Sequence, residues 1–200
     1  MDSFTLPAMT TAFAAHNLDT DAFARAQGQL SGAVPVTQFS RLMEELRVLG
    51  QVLGARWDEL PPVQWQASGE SRTAAGEAPE SWLHLHASGS VPQICQRCLE
   101  RVDAPLWVDY WFRFVADEAT ADAQDDEMEE DLLVTSRNFD LLALLEDELL
   151  MALPMVPVHD ICPEPVKMAV ADEGFAAAAA AKPKPFAALA GLKGRGKKAP

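Results

Sequence analysis

Two cysteines spaced as Cys95-Gln96-Arg97-Cys98, with His159 and Cys162 spaced as His-x-x-Cys further along, are the side chains of this 200-residue chain best suited to chemistry. Zinc prefers cysteine sulfur and histidine nitrogen, in tetrahedral sets of four. The short Cys95–Cys98 spacing lets both thiolates reach one ion if the residues between them form a turn. Cys95, Cys98, His159 and Cys162 are therefore a candidate zinc set, and coordination would pin the exit of a downstream helix to a sheet. Two other readings stand beside it: buried thiols and a loop histidine with no metal, and a redox dithiol, because Cys-x-x-Cys serves both metal and redox sites. A redox pair of the thioredoxin kind opens a helix after a strand, where the helix N-terminus lowers the thiol pKa. Here the neighbourhood reads as antiparallel strands; Glu100 opposes a thiolate, and Arg97 alone supports one.

The second candidate constellation is Glu146-Asp147-Glu148. Successive helical residues turn by ~100°, so three carboxylates in a row cannot share a face for acid/base work. Glu148 projects between Leu141 and Leu144, Glu146 lies near Leu142 and Leu153, and Asp147 sits over Asp140. Leucine nearly surrounds this helix, so at least one carboxylate is close to buried and needs a partner. That partner is an arginine, a backbone N–H or another protein, and Arg97 is the candidate for Glu148. No Gly-rich phosphate loop, Gly-x-Ser-x-Gly or His-Glu-x-x-His is present, and the residues assemble no catalytic set. His84 and His86 alternate onto one strand face beside Trp82, which reads as an exposed face. The five tryptophans read as packing rather than a base-stacking platform, because basic residues are not interleaved with them along the chain.

The elements that must position these residues follow from period. Phe39, Leu42, Met43, Leu46, Val48 and Leu49 recur at three and four, predicting a helix over about 38–48, capped by Thr37 or Ser40 and stopped by Gly50. A short helix is expected between Thr11 and Leu30. Alternation then takes over: Val63, Trp65 and Ala67; Leu83, Leu85 and Ala87; Leu106, Val108, Tyr110, Phe112 and Phe114. These are three half-buried strands, antiparallel because the connections leave little room for crossover helices. Nine of the fifteen residues from Asp117 to Asp131 are acidic and none is basic, which predicts a solvated loop. A helix over about 140–153 follows, capped by Asn138 or Asp140 and ended by Pro154. The expected fold is α+β: an antiparallel sheet with a few packed helices, in one domain over 1–165, then an Ala/Pro/Lys-rich flexible basic tail over 166–200.

Charge divides the same way. The net charge is −14. Lys182 to Pro200 holds six basic residues and no acidic one, leaving 10 basic and 30 acidic residues before it, or −20. Such a body repels phosphate backbones over a Debye length of ~8–10 Å and attracts basic proteins. In the tail, Phe186, Leu189 and Leu192 recur every three residues ahead of the cationic end, a stripe suited to docking. The start, Met1-Asp2-Ser3-Phe4-Thr5, has neither the basic stretch nor the apolar core of a secretory signal. No apolar run approaches the ~20 residues of a membrane span. The chain is expected to be soluble and cytoplasmic, with its cysteines as thiols or metal ligands.

Four segments together resemble the YceD family: Ile94-Cys-Gln-Arg-Cys-Leu-Glu100, Phe139-Asp-Leu-Leu-Ala-Leu-Leu-Glu-Asp-Glu-Leu-Leu150, Leu153-Pro-Met-Val-Pro-Val-His-Asp160, and Lys184-Pro-Phe-Ala-Ala-Leu-Ala-Gly-Leu-Lys193. The resemblance runs through most of the chain and is weakest between Asp58 and Pro79. It implies a non-enzymatic ribosome-assembly factor needed for accumulation of the large-subunit (23S) ribosomal RNA. The implied partner is a large-subunit precursor, met through 23S RNA or basic ribosomal proteins, with no membrane and no small-molecule substrate. Cys95, Arg97, Cys98, Asp140, Glu146, Asp147, Glu148, Pro154, Pro157, His159 and the Phe186/Leu189/Leu192 stripe are the family-marking positions. Relatives elsewhere in the family carry more cysteines where this chain has Cys162 alone. The rival readings are a metal-dependent hydrolase using Cys95, Cys98 and the Glu146–Glu148 helix, and a zinc-stabilised protein-interaction module. A closed four-ligand site would be structural; a spare position facing a pocket would revive the hydrolase.

Overall fold

In the computed structural model, residues 13–73, 76, 78–124, 130–163 and 174–175 are described. Helix α1 (Thr20–Arg25) leads to strand β1 (Gln29–Val34), helix α2 (Ser40–Leu53), strands β2 (Val63–Arg72), β3 (Glu80–Ile94) and β4 (Arg101–Val115), helix α3 (Glu118–Gln124), strand β5 (Asp131–Val134) and helix α4 (Leu141–Met151). All belong to one compact unit, Met1–Ile161; Cys162–Pro200 forms a second. The strands pair in chain order, β1-β2-β3-β4-β5, antiparallel except for the parallel β4–β5 pair. The fold is α+β, as the change from helical period to alternation predicts.

The three expected strands are the long ones, and their alternation sorts the faces. Val63, Trp65 and Ala67 of β2, Leu83, Leu85 and Ala87 of β3, and Leu106, Val108, Phe112 and Phe114 of β4 are buried on one face. Helices cover that face with their own apolar stripes: Leu42 and Leu46 from α2, and Leu141, Leu145 and Leu149 from α4, all fully buried. Each such leucine contributes about 1.5–3 kcal/mol by leaving water. Phe23 of α1 packs so tightly on the sheet that a Cβ at Gly69 would stand 2.7 Å from its carbonyl oxygen. Only glycine allows that approach.

Several boundaries differ from the expectations, each for a physical reason. Helix α2 does not stop at Gly50 but runs to Leu53, and Gly54 ends it in the left-handed conformation (φ +59°). Gly50 lies inside the helix, where a Cβ would meet the Trp57 ring at 2.4 Å, so its smallness serves packing. Neither Thr37 nor Ser40 caps α2; the N-cap is Phe39, without a side-chain cap. Asp140 does cap α4, accepting from the N–H groups of Leu142 (3.0 Å) and Ala143 (3.1 Å). The acidic stretch is not all loop: residues 118–124 form α3, which Asp117 opens by accepting from the Thr120 N–H at 2.8 Å. Strands β1 and β5 lie at the two sheet edges and are additions to the three expected. The expected tail, with Phe186, Leu189 and Leu192, lies outside the described residues apart from 174–175.

Candidate metal centre

Strands β3 and β4 are joined by a turn over 95–100, closed by Cys95 N–H to the Glu100 carbonyl (2.9 Å) and Leu99 N–H to the Cys95 carbonyl (2.9 Å). Leu99 takes a left-handed φ of 65° to complete it. This is the turn that Cys-x-x-Cys requires for convergent thiols. After α4, Pro154 follows the helix end and the chain runs back to this turn, where the Gln96 N–H donates to the Pro157 carbonyl at 2.9 Å. The segment that carries His159 is thereby laid against the segment that carries both cysteines.

The four expected ligands come together. One ligand atom each from Cys95, Cys98, His159 and Cys162 lies within 4.8 Å of all the others. In a tetrahedral zinc site with Zn–S near 2.3 Å, sulfurs stand roughly 3.7 Å apart, so the group has the dimensions of a closed four-ligand set. None of the three cysteines forms a disulfide.

The surroundings prepare the ligands. The Cys98 Sγ lies 3.4 Å from His159 Nδ1, while His159 Nε2 lies 2.9 Å from the Arg101 carbonyl. A carbonyl only accepts, so Nε2 carries the proton, and in the neutral ring the Nδ1 lone pair faces the sulfurs. A backbone acceptor on the second ring nitrogen is the arrangement that orients metal-bound histidine. Cys95 is fully buried. Burial opposes its thiolate, but the backbone N–H groups of Cys98, His159 and Arg97, with the Cys98 side chain, outweigh burial and bring the thiol down to about 5. The His159 N–H reaches this sulfur at 3.4 Å. A pre-formed thiolate suits metal ligation or redox chemistry; the histidine and third cysteine within reach favour the metal.

Arg97 is not the partner of Glu148. Its guanidinium donates to the His159 carbonyl and so braces the ligand segment. The buried carboxylate is Glu146, and its partner is Arg41, which no motif or spacing singles out. Glu146 Oε1 accepts from the backbone N–H groups of Arg41 (2.6 Å) and Leu42 (3.1 Å), and Oε2 accepts from Arg41 Nε at 3.3 Å. The same guanidinium pairs with Asp147 and donates to the Ala143 carbonyl. The Arg41 pKa is raised chiefly by that Asp147 hydrogen bond. The structure puts Phe39 at the N-cap of α2 without a side-chain cap, so the acceptor for the first turn comes from elsewhere in the chain.

Glu148 is half-buried and has different neighbours. Burial first, then the charges of Asp131 and Asp147, push its carboxyl above the usual range. Among the described residues, the thiols and imidazole form the one group with metal-ligand spacing, and no carboxylate belongs to it. Among the described residues, the helix of acids and the thiol turn are therefore separate features.

The sheet face opposite the helices carries His84, His86, Trp82, Trp107 and Trp111, of which Trp82 is buried. His84 stacks on Trp111 (4.4 Å between centroids) and approaches Asp109 at 2.7 Å, and His86 meets Trp107 edge-on at 4.6 Å. Arg72 lies 4.2 Å from the rings of both Trp82 and Trp111. A cation is thus interleaved with the aromatics across strands, as the linear spacing did not reveal. It covers the Trp82 and Trp111 rings, while Trp107 is exposed. Among the described residues, no helix is long and apolar enough to cross a membrane.

A sequence model of the family described as large ribosomal RNA subunit accumulation protein YceD matches residues 83–193. A Haemophilus influenzae protein named large ribosomal RNA subunit accumulation protein YceD is 34% identical over 102 residues, covering 50% of this chain and 58% of that relative. The chain therefore aligns with less than two thirds of the relative's length. No solved structure matches.

Proposed function

The chain belongs to the YceD family, and from that premise we propose that it is a non-enzymatic factor supporting synthesis, processing or stability of 23S ribosomal RNA. It works in the cytoplasm on a precursor of the large ribosomal subunit. The observation that carries this reading is the family match over residues 83–193, a span holding the thiol turn, α4 and the histidine segment. The roles seen for the family-marking residues support it: Glu146 caps a helix, Asp147 pairs with Arg41, and Arg97 braces a loop. Those are the roles of a scaffold.

Zinc is the metal this donor set suits, with three sulfurs and one imidazole as a closed, structural site. Cys95, Cys98, His159 and Cys162 would hold it, and its contribution is to fasten the segment after α4 to the β3–β4 turn. An acidic body that repels phosphate leaves RNA contact to the tail of 166–200 and contact with basic ribosomal proteins to the folded part. Sucrose-gradient sedimentation of lysate tests the reading. Co-migration of the protein with large-subunit precursors is the expected result; protein only at the top of the gradient would overturn it.

A further inference from the structure

From Met151, the last residue of α4, to Ile161 the chain exposes five large apolar side chains. Met155 is 98% exposed, Ile161 88%, Met151 82%, Val156 65% and Val158 48%, all within eleven consecutive residues. Isolated exposed apolar residues are ordinary, but a contiguous set marks a surface that another molecule covers. The segment is also held in place. Pro157 is buried with its carbonyl bonded to Gln96, and the His159 ring, N–H and carbonyl are each engaged by the turn. Fixing a loop costs roughly 1–2 kcal/mol per residue in backbone entropy. A spacer would not be fixed so; a display platform would.

The charges around this platform select its partner. From residue 138 to 166 the sequence has six acidic residues and no lysine or arginine. Asp160 is exposed within the platform, and Asp147 and Glu148 lie one helical turn before Met151. Arg41 offsets Asp147, Arg101 pairs with Asp103, and Arg97 is bonded to the His159 carbonyl. Among the described residues no cation stands within ion-pair distance of Glu148. Its carboxyl, pushed up by burial and by Asp131 and Asp147, would be relieved by a cation from outside. Exposed methionines beside carboxylates adapt to apolar faces of varied shape.

We propose that the segment Met151–Ile161, with Asp147 and Glu148 at its helical end, is a docking surface for a lysine- and arginine-rich protein segment that carries one apolar face. This rests on the reading of the chain as a large-subunit factor and names the chemistry of the partner. The partner's apolar residues cover Met151, Met155 and Val156, and its cations meet the carboxylates. Phosphate backbones are disfavoured at the same place by the same charges.

Fluorescence anisotropy with the purified full chain tests this, using three labelled probes: an amphipathic Lys/Leu peptide, a permuted peptide of equal composition without an apolar face, and a single-stranded RNA of similar length. The amphipathic peptide should bind at least about tenfold more tightly than either other probe, and the double variant M155D/V156D should weaken it by about tenfold or more, as loss of buried apolar area requires. Both positions are exposed, so the melting temperature and metal content should stay unchanged; Met151→Asp, on the helix surface, is a second variant with the same expected loss. Equal binding of the permuted peptide, preference for RNA, or wild-type binding by these variants would overturn the proposal. Co-sedimentation with large-subunit precursors alongside such a failure would remove the docking surface alone, whereas peptide binding without co-sedimentation would remove the functional reading.

Discussion

Glu146 closes the N-terminus of a helix to which it does not belong: its carboxylate accepts from the backbone N–H groups of Arg41 and Leu42 at 2.6 and 3.1 Å. The first turn of every helix leaves N–H groups without intrahelical partners, and Phe39 offers α2 no side-chain oxygen. A carboxylate from α4 supplies the acceptor and places negative charge at the positive end of the α2 dipole. The two helices that cover the sheet are thereby joined at one point.

Glu146→Ala should therefore lower folding stability by roughly 2–3 kcal/mol, the loss of a cap together with buried N–H groups left unpaired. Glu146→Gln keeps an acceptor and should fall between wild type and Ala. Urea denaturation measures both. A loss for Glu146→Ala within about 0.5 kcal/mol, the range of an ordinary surface substitution, would show that the cap is dispensable.

Asp147→Ala should cost much less, about 0.2–1 kcal/mol, because its pair with Arg41 is exposed and screened. In a double-mutant cycle Arg41 should couple more strongly to Glu146 than to Asp147. The reverse order would mean that the exposed contact, not the buried one, holds α2 to α4.

Glu148 makes stability depend on pH in a predictable direction. Burial and the nearby Asp131 and Asp147 raise its folded pKa above the ordinary 4.5. A carboxyl raised on folding binds its proton more tightly in the native state, so its charged form penalises folding at neutral pH. The penalty fades as pH falls through the raised value and is gone below 4.5. Glu148→Gln should then raise the melting temperature at neutral pH and give no gain in more acid solution. A gain that persists unchanged below that point would contradict burial and like charge as its cause.

Protein purified without chelator should carry one zinc per chain by elemental analysis, since the four donors match a closed site. Cys98→Ser and His159→Ala should each lose the metal and lower the melting temperature; strong chelators should do the same to wild type. Absence of metal together with melting unchanged by these substitutions would leave the group as metal-free thiols.

The long strands and α2 were legible because their periods are strong, as in the alternation of Val63-Trp65-Ala67 and the spacing of Leu42 and Leu46, whereas α4 was legible from its bounds, Asp140 and Pro154. Strand β1 was not, because Gln29-Leu-Ser-Gly-Ala-Val34 lies at an edge and only Val34 is buried; its place is held by backbone pairing that leaves no pattern. Strand β5 has four residues at the end of an acidic stretch, too short for a period to register. The Cys/His set was legible because its ligand types are few and its turn is local. The Arg41–Glu146 contact was not, because 105 residues separate the partners, and many arginines fit a buried acid equally well in sequence. Arg97 drew attention by standing between two cysteines, yet its role is to hold the His159 carbonyl.

Whether the chain supports accumulation of large-subunit ribosomal RNA is decided by the ratio of 23S to 16S RNA in a strain deleted for this protein, with and without the intact chain returned. A lowered ratio on deletion, recovering with the full chain, is the expected result. A normal ratio and normal subunit profile in the deletion strain would contradict that role.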